Sequence, residues 1–390
     1  MDRTDTFKLS AETAFLADPA GQDLCAVLER AGHQAFFVGG CVRNAVMGLA
    51  ASDIDVSTSA TPQTVMEVAK SAGLRVVPTG IDHGTVTVVV RGSSFEVTTF
   101  RRDVATDGRR AVVAFSNDIA EDAVRRDFTM NALYADRHGV VHDPLGGLPD
   151  ALGRRVRFIQ DPEQRIREDY LRILRFFRFS AFYADLTQGW APDALAAITS
   201  NLDGLETLSA ERIGAEMLKL LSAPDPAPAL AVMERIGVLQ RVLPGATTTV
   251  FGPIVHLEAS IGAAPDPIVR LAALGGQDAA ERLRLSRQQQ KTLKAIQENS
   301  TSVMGPKALG YMSGIAAALG AMSLRAAMAA QPLPEDTLGL IAEGSRAVCP
   351  VSARDFPDLK GPELGQRLKA LKASWLASEL TKSKEDLLGA

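Results

Sequence analysis

Three cysteines in 390 residues, Cys25, Cys41 and Cys349, are too few and too scattered for a disulfide framework or a Cys-x-x-Cys metal site. A reducing, cytoplasmic compartment fits that usage. The string Gly-x-x-x-x-Gly-Lys-Ser/Thr does not occur, which excludes a P-loop kinase. The N-terminus carries Asp2 and Asp5 with no apolar h-region, and the Ala/Met-rich stretch at 313–330 is interrupted by Ser323 and Arg325, so neither a signal peptide nor a membrane span is expected. There is no fixed-period repeat and no low-complexity tail. An overall basic surplus is also missing, since the formal net charge is −4. Any RNA contact should therefore be local, and residues 154–178 hold eight arginines against four acids, the opposite balance to the whole chain. The remaining composition, 46% hydrophobic and 23% charged, suits two to four compact units with a real core.

The most informative residues lie near the N-terminus. The apolar run Ala35-Phe36-Phe37-Val38 reads as a strand ending at Gly39-Gly40, and Val42 to Leu49 reads as a short helix. Two glycines allow close backbone approach to a ligand, while the unpaired amides and positive dipole end of the helix favour a triphosphate. Arg43 adds a fixed positive charge. Thirteen positions after Gly40 comes Asp53-Ile54-Asp55. On an extended strand, residues i and i+2 face the same side, so Asp53 and Asp55 would present two carboxylates to one small volume. Alone, an Asp-x-Asp is weak, being more often solvated or capping. In this order, strand, glycine turn, helix and acidic strand point to nucleotidyl transfer with Mg²⁺ on the two aspartates.

The first 150 residues mix helical and strand patterns. Thr61-Pro62 opens a helix with Val65, Met66, Val68 and Ala69 on a helical repeat. Gly84 to Val90 and Phe95 to Phe100 read as a hairpin around Arg91-Gly92-Ser93-Ser94. Pairing of that hairpin beside the Asp53 strand would bring Glu96 in as a third carboxylate; the alternative is a surface glutamate on a sheet edge. After Gly146-Gly147 the β signal fades, and Pro-rich punctuation at 223–228 separates two helical blocks. The expectation is an α+β chain: a mostly antiparallel head over 1–150, a helical segment over 151–222, and a helical remainder over 223–390.

A continuous helix is expected from Arg165 to Phe179. Ile166, Tyr170, Ile173, Leu174 and Phe177 share one arc as its core face. The other arc carries Arg165, Arg167, Glu168, Asp169, Arg172, Arg175 and Arg178. The bland account is a solvated, salt-bridged face. A carboxylate beside a guanidinium, as at Asp169 and Arg172, also mimics a Watson–Crick edge, with Asp accepting and Arg donating in a rigid fork.

These residues resemble the class II tRNA nucleotidyltransferases, which include CCA-adding enzymes and bacterial poly(A) polymerases. The resemblance covers roughly residues 36–216. It runs through Val38-Gly39-Gly40-Cys41-Val42-Arg43, Asp53-Ile54-Asp55-Val56-Ser57-Thr58, His83 to Val88, Phe95 to Arg101, Asp107-Gly108-Arg109-Arg110, Arg125-Arg126-Asp127-Phe128-Thr129-Met130-Asn131-Ala132-Leu133, Asp143 to Gly147, Glu168-Asp169-Tyr170-Leu171-Arg172-Ile173-Leu174-Arg175 and Glu211-Arg212-Ile213. It implies a polymerase-β-type head followed by neck, body and tail. It implies Mg²⁺ on Asp53 and Asp55, triphosphate on Gly40 and Arg43 with Gly39 in the same turn, and Arg126 against the nucleotide. Asp169 and Arg172 would read the incoming base, with Arg175 and Arg178 supporting phosphates or stacking. It further implies addition of C, C and A to the tRNA 3′ end from CTP and ATP, with Arg101 to Ala111 as a mobile loop hinged at Gly108.

One departure is plain: the family usually has Asp after the motif arginine, and this chain has Asn44, which puts ion pairing to Arg43 or Arg172 in doubt. There is no His-Asp dyad of an appended phosphohydrolase, and His256 has no histidine partner nearby. Lys360-Gly361-Pro362 opens an amphipathic helix through Leu368, Leu371 and Trp375 whose first amides could hold an RNA phosphate; a turn docking the last helix is the more ordinary account. The rival within the family is a poly(A) polymerase or A-only enzyme. From another class, the rival is an RNA-binding protein with a dead site, against which intact Asp53, Asp55 and Arg43 argue.

Overall fold

A computed structural model describes residues 7–50, 53–107 and 110–389. By contact density the chain divides into two compact units, 1–208 and 209–390.

The first unit is built on a seven-stranded sheet. Its strands are β1 (Ala35–Val38), β2 (Asp55–Thr58), β3 (Arg75–Gly80), β4 (Thr85–Val90), β5 (Ser93–Thr99), β8 (Tyr134–Ala135) and β9 (Val141–His142), in the order β3-β4-β5-β2-β1-β8-β9. Every neighbouring pair is antiparallel except β2 and β5. The alternation of Thr85 to Val90 buries Val86, Val88 and Val90 on one face. Helices α1 (Pro19–Arg30) and α3 (Pro62–Ser71) cover the sheet; Leu24 and Leu28 of the first and Val65 and Ala69 of the second are buried. Asp18 and Thr61 cap them, each followed by Pro in the first turn.

The β4–β5 hairpin is tighter than expected. Arg91 (φ 50°) and Gly92 (φ 87°) form a two-residue turn with both residues left-handed, so Ser93 and Ser94 join the ladder instead of the loop. The segment expected as a mobile loop is a second hairpin, β6 (Arg101–Asp107) with β7 (Arg110–Phe115), in antiparallel register from Arg101 opposite Phe115 to Asp107 opposite Arg110. Gly108, the expected hinge, lies outside the described residues.

The helix expected from Arg165 to Phe179 is two helices, α4 (Pro162–Glu168) and α5 (Leu171–Tyr183). Asp169 is extended (φ −157°, ψ 104°), and its carboxylate accepts from the Leu171 amide, the local bond by which Asp competes with helix continuation. Arg165, assigned to the polar arc, is buried: it pairs with Glu168 and donates to the carbonyls of Arg125 and Arg126. An aromatic cluster of Phe128, Phe158, Phe176 and Phe179 packs α5 into the unit, with ring centroids 5.0 to 6.3 Å apart.

The second unit is helical. Its span Pro306–Met328 is two helical segments joined at Gly314, whose φ of 77° and ψ of 173° break the helix. Arg270, 1% exposed, pairs with buried Glu258 and donates to the carbonyls of Leu221, Ala223 and Pro224. The helix Gly361–Ala377 begins where Lys360-Gly361-Pro362 suggests and buries Leu371 and Trp375 beside Val351 and Leu387. Among the described residues, no helix is long and apolar enough to cross a membrane.

Candidate active site

Helix α2 (Gly40–Val46) starts directly from β1 because Gly39 adopts φ 72°, ψ −119°, a region only glycine enters readily. A Cβ on Gly39 would also lie 3.3 Å from the Arg126 guanidinium. Cys41 is a packing group in this turn, since burial pushes its thiol up to about 11.

Strand β2 begins at Asp55, and Asp53 stands just before it outside the ladder, so strand alternation positions only the second of the two aspartates. The parallel pairing of β2 with β5 places Asp55 directly opposite Glu96. Asp55 with Ser57 and Glu96 with Thr98 share one face and line a cleft of about 350 Å³ with Arg101, Arg125 and Arg126. Arg126 is fixed there by Asp122 (3.2 Å), the Tyr134 hydroxyl (3.1 Å) and Ser57 (3.4 Å).

The Asp55 carboxyl opens to solvent at the mouth of the cleft, yet the protein packed around it pushes it up to about 6. Partial desolvation is the main cause; the charge of Glu96 adds to it, Arg126 opposes it, and Asp53 contributes a smaller push upward. Two carboxylates abreast, one reluctant to ionise, form an all-oxygen set that a hard divalent cation would relieve. Among the described residues, however, no three His, Cys, Asp or Glu side chains converge closely enough to hold a metal ion. The structure thus brings Asp55, Glu96 and Arg126 together, with Gly39 against Arg126.

Arg43 sits elsewhere. It is 5% exposed, and its guanidinium lies 3.9 Å from the centre of the Tyr183 ring. It donates to Asn44 Oδ1 (3.1 and 2.8 Å), Asn131 Oδ1 (2.6 Å) and the Tyr183 hydroxyl (2.8 Å). Asn44 orients Arg43 through its amide oxygen while its own NH₂ donates to the Ala50 carbonyl, so hydrogen bonding does what a carboxylate would do by charge. Asn131 in turn donates to buried Asp127, which accepts from Arg175. Arg178 lies over the Phe179 ring at 4.5 Å. Arg172 donates to Glu168 (2.6 Å) and to the Arg165 carbonyl (2.7 Å). Asp169 occupies the break between α4 and α5.

Sequence reasoning assigned no role to Tyr183, Asp127, Asn131, Asp122 or Tyr134. Asp127 and Asn131 sit inside the string Arg125 to Leu133, where four-residue spacing in a polar run was the available signal. Tyr183 carried none, because its contact with Arg43 spans 140 positions.

A family profile described as "Poly A polymerase head domain" matches residues 35–157, and a second, "Probable RNA and SrmB- binding site of polymerase A", matches residues 191–249. The human mitochondrial CCA tRNA nucleotidyltransferase 1 is 40% identical over 218 residues, covering 55% of this chain and 50% of that protein. A CCA-adding enzyme of Geobacillus stearothermophilus is 40% identical over 220 residues, covering 56% and 52%. The crystal structure of a Bacillus stearothermophilus CCA-adding enzyme in complex with CTP superposes with a TM-score of 0.75 at 29% identity, covering 94% of this chain and 95% of that one. The chain belongs to the class II tRNA nucleotidyltransferase and poly(A) polymerase family. The sequence matches span about half the length of these curated relatives, so family membership rests on the head and the fold of the whole. The mixed, mostly antiparallel head and helical remainder are the family's architecture.

Proposed function

We propose that this protein is a tRNA nucleotidyltransferase that adds C, C and A to the tRNA 3′ end from CTP and ATP, releasing pyrophosphate. The observation that carries the reading is the register pair Asp55 and Glu96 facing Arg126 across one cleft that starts at the Gly39 turn. Family membership supplies the context, and its relatives are named as CCA-adding enzymes.

In this reading the chain divides into a head over 1–150, a neck over 151–222 and a tRNA-binding body and tail over 223–390. Asp53 and Asp55 hold Mg²⁺, with Glu96 beside them, and the ion would supply Lewis acidity for the attacking 3′ hydroxyl and charge stabilisation for the departing pyrophosphate. The chain's own groups do the positioning. The Gly39-Gly40 turn and the first amides of α2 offer donors to the triphosphate, and Arg126, rigid between Asp122 and Tyr134, offers a fixed positive charge to the nucleotide. Arg43 acts through the turn it anchors rather than from the open cleft. Arg175 and Arg178 brace the segment beside it. Asp169 and Arg172 read the base, and Glu168, which holds Arg172, sets the angle of the guanidinium.

The test is incorporation of each labelled nucleotide, with Mg²⁺, onto tRNA transcripts ending before the tail, after the first C and after the second C. Addition that stops at C-C-A supports the proposal. A-only addition to the C-C end or long A tails would move the protein to the other branches of the family. No metal-dependent incorporation of any nucleotide would leave an RNA-binding protein.

A further inference from the structure

A second cavity, of about 670 Å³, lies in the first unit and shares no lining residue with the Asp55 cleft. Its wall holds Arg154, Arg155 and Arg157, three of the eight arginines of the basic stretch, together with Trp190, Gln188 and the C-terminal end of α5 at Phe176 and Ser180.

Three observations set this cavity apart from a chance depression. First, the charge is unbalanced: three guanidiniums face two carboxylates, Asp150 and Asp185. Asp150 already accepts from Arg157 (2.9 Å) and Thr129 (2.7 Å) and forms ion pairs with Arg157 (2.8 Å) and Arg155 (3.3 Å), and Asp185 accepts from Thr187 and Gln188. Arg155 and Arg157 nevertheless keep more than half of their side-chain surface open, 56% and 54%. Their heads are oriented by a buried carboxylate while donors still face the cavity, which is how an arginine is pre-organised for a phosphate.

Second, Arg154 has φ 51°, in the left-handed region that favours glycine or asparagine. The Arg154 carbonyl accepts from the Asp185 amide (2.8 Å), which ties this turn to the Asp185 side of the cavity wall. Third, Trp190 is half-buried, braced at 5.9 and 5.7 Å from the Phe176 and Phe177 rings, and lines the same space. An indole held rigid beside clustered guanidiniums offers a stacking surface next to an anion site.

We propose that this cavity is a second nucleotide site, taking a phosphate on Arg154, Arg155 and Arg157 and the attached base against Trp190. The ligand chemistry has two sources, a free mononucleotide or one nucleotide of a bound RNA chain. Occupation would bear on the C-terminal end of α5, the helix that carries Arg172 and Arg175 at its other end. The site stands whether or not the Asp55 cleft transfers nucleotides.

The chain has two tryptophans, and Trp375 is buried in the second unit, so the full-length Trp375→Phe variant leaves Trp190 as the only indole. Its emission is titrated in EDTA with AMP, which lacks the triphosphate, and separately with a tRNA transcript. Saturable quenching by AMP that weakens roughly tenfold or more in Arg154→Asn is the result expected for a free nucleotide. Quenching by the transcript alone, with the same loss, assigns the site to the RNA chain. Asparagine tolerates the left-handed backbone, so this substitution removes the cation without straining the turn. Arg155→Gln, which leaves Asp150 to Arg157 and Thr129, gives the same reading should Arg154→Asn fold poorly. Quenching by neither ligand, or quenching unchanged in both variants, overturns the proposal.

Discussion

Asp55 carries the clearest consequences at the scale of single residues. Asp55→Ala is expected to lower incorporation by at least about 10² to 10³-fold, the scale of losing one pre-organised electrostatic group, with tRNA affinity nearly unchanged; retained turnover would remove it from the site. Because its carboxyl is pushed up to about 6 in the metal-free site and must be ionised to hold a cation, kcat/KM at subsaturating Mg²⁺ should fall as pH drops through about 6. Glu96→Gln removes the neighbouring charge that helps raise it, so the acid limb should move to lower pH. The linkage to stability runs the other way. The folded state holds this proton more tightly than the ordinary value of 3.8, so without metal the protein loses stability as pH rises from about 4 to about 6. Asp55→Asn should therefore raise Tm in EDTA at pH 7.5 and leave it unchanged at pH 4, a comparison made directly by thermal melts. Asn44 belongs to the same scale: it satisfies Arg43 by hydrogen bonding, so a neutral amide is compatible with the buried guanidinium.

Elements matter through their ends. The Gly39 turn and the break at Asp169 both place candidate site groups where regular structure stops. Gly39→Ala forces a Cβ into a backbone region closed to it and to within 3.3 Å of Arg126, so a loss of at least about 1 kcal/mol in stability is expected, with a rise in KM for nucleotide. A normal KM in a folded variant would argue against the turn as triphosphate cradle. The tie between α2 and α5 is Arg43 on Tyr183. Tyr183→Leu removes both the stacking surface and one hydrogen bond, and should cost about 1 to 3 kcal/mol by chemical denaturation. Arg165 locks the break between α4 and α5 to the Arg125 and Arg126 carbonyls, so the polar-arc assignment failed for a physical reason: a helical wheel cannot see carbonyls delivered from forty positions earlier.

Across the whole molecule, the two compact units rely on different glue. The first joins a sheet to an aromatic cluster; the second contains an arginine, Arg270, sealed against Glu258 and three carbonyls. Arg270→Ala leaves Glu258 buried without its partner and should destabilise the protein by about 3 to 5 kcal/mol, read from denaturant midpoints. The helical remainder and the mixed head were legible in the sequence, because hydrophobic periodicity changes from about two to about 3.6 after Gly147. Asp53 and Asp55 were legible as candidates, though not their placement, and Glu96 stayed open between a third carboxylate and a surface group until the β2–β5 register set it opposite Asp55.

By itself the sequence determined the local grammar: the glycine turn after Val38, a strand following the acidic pair though not its first residue, the capped helices, and the family membership carried by the strings from Val38 to Arg175. Those depend on neighbours within a few positions, and short-range sterics and capping decide them. Only the tertiary structure decided that Arg43 is buried on Tyr183, that Asp55 and Glu96 stand in register, that Arg165 is internal, and that three arginines and a tryptophan share a cavity. Each of these joins residues far apart in the chain, and which distant partner wins depends on packing and on satisfying buried polar groups together, information no local pattern contains.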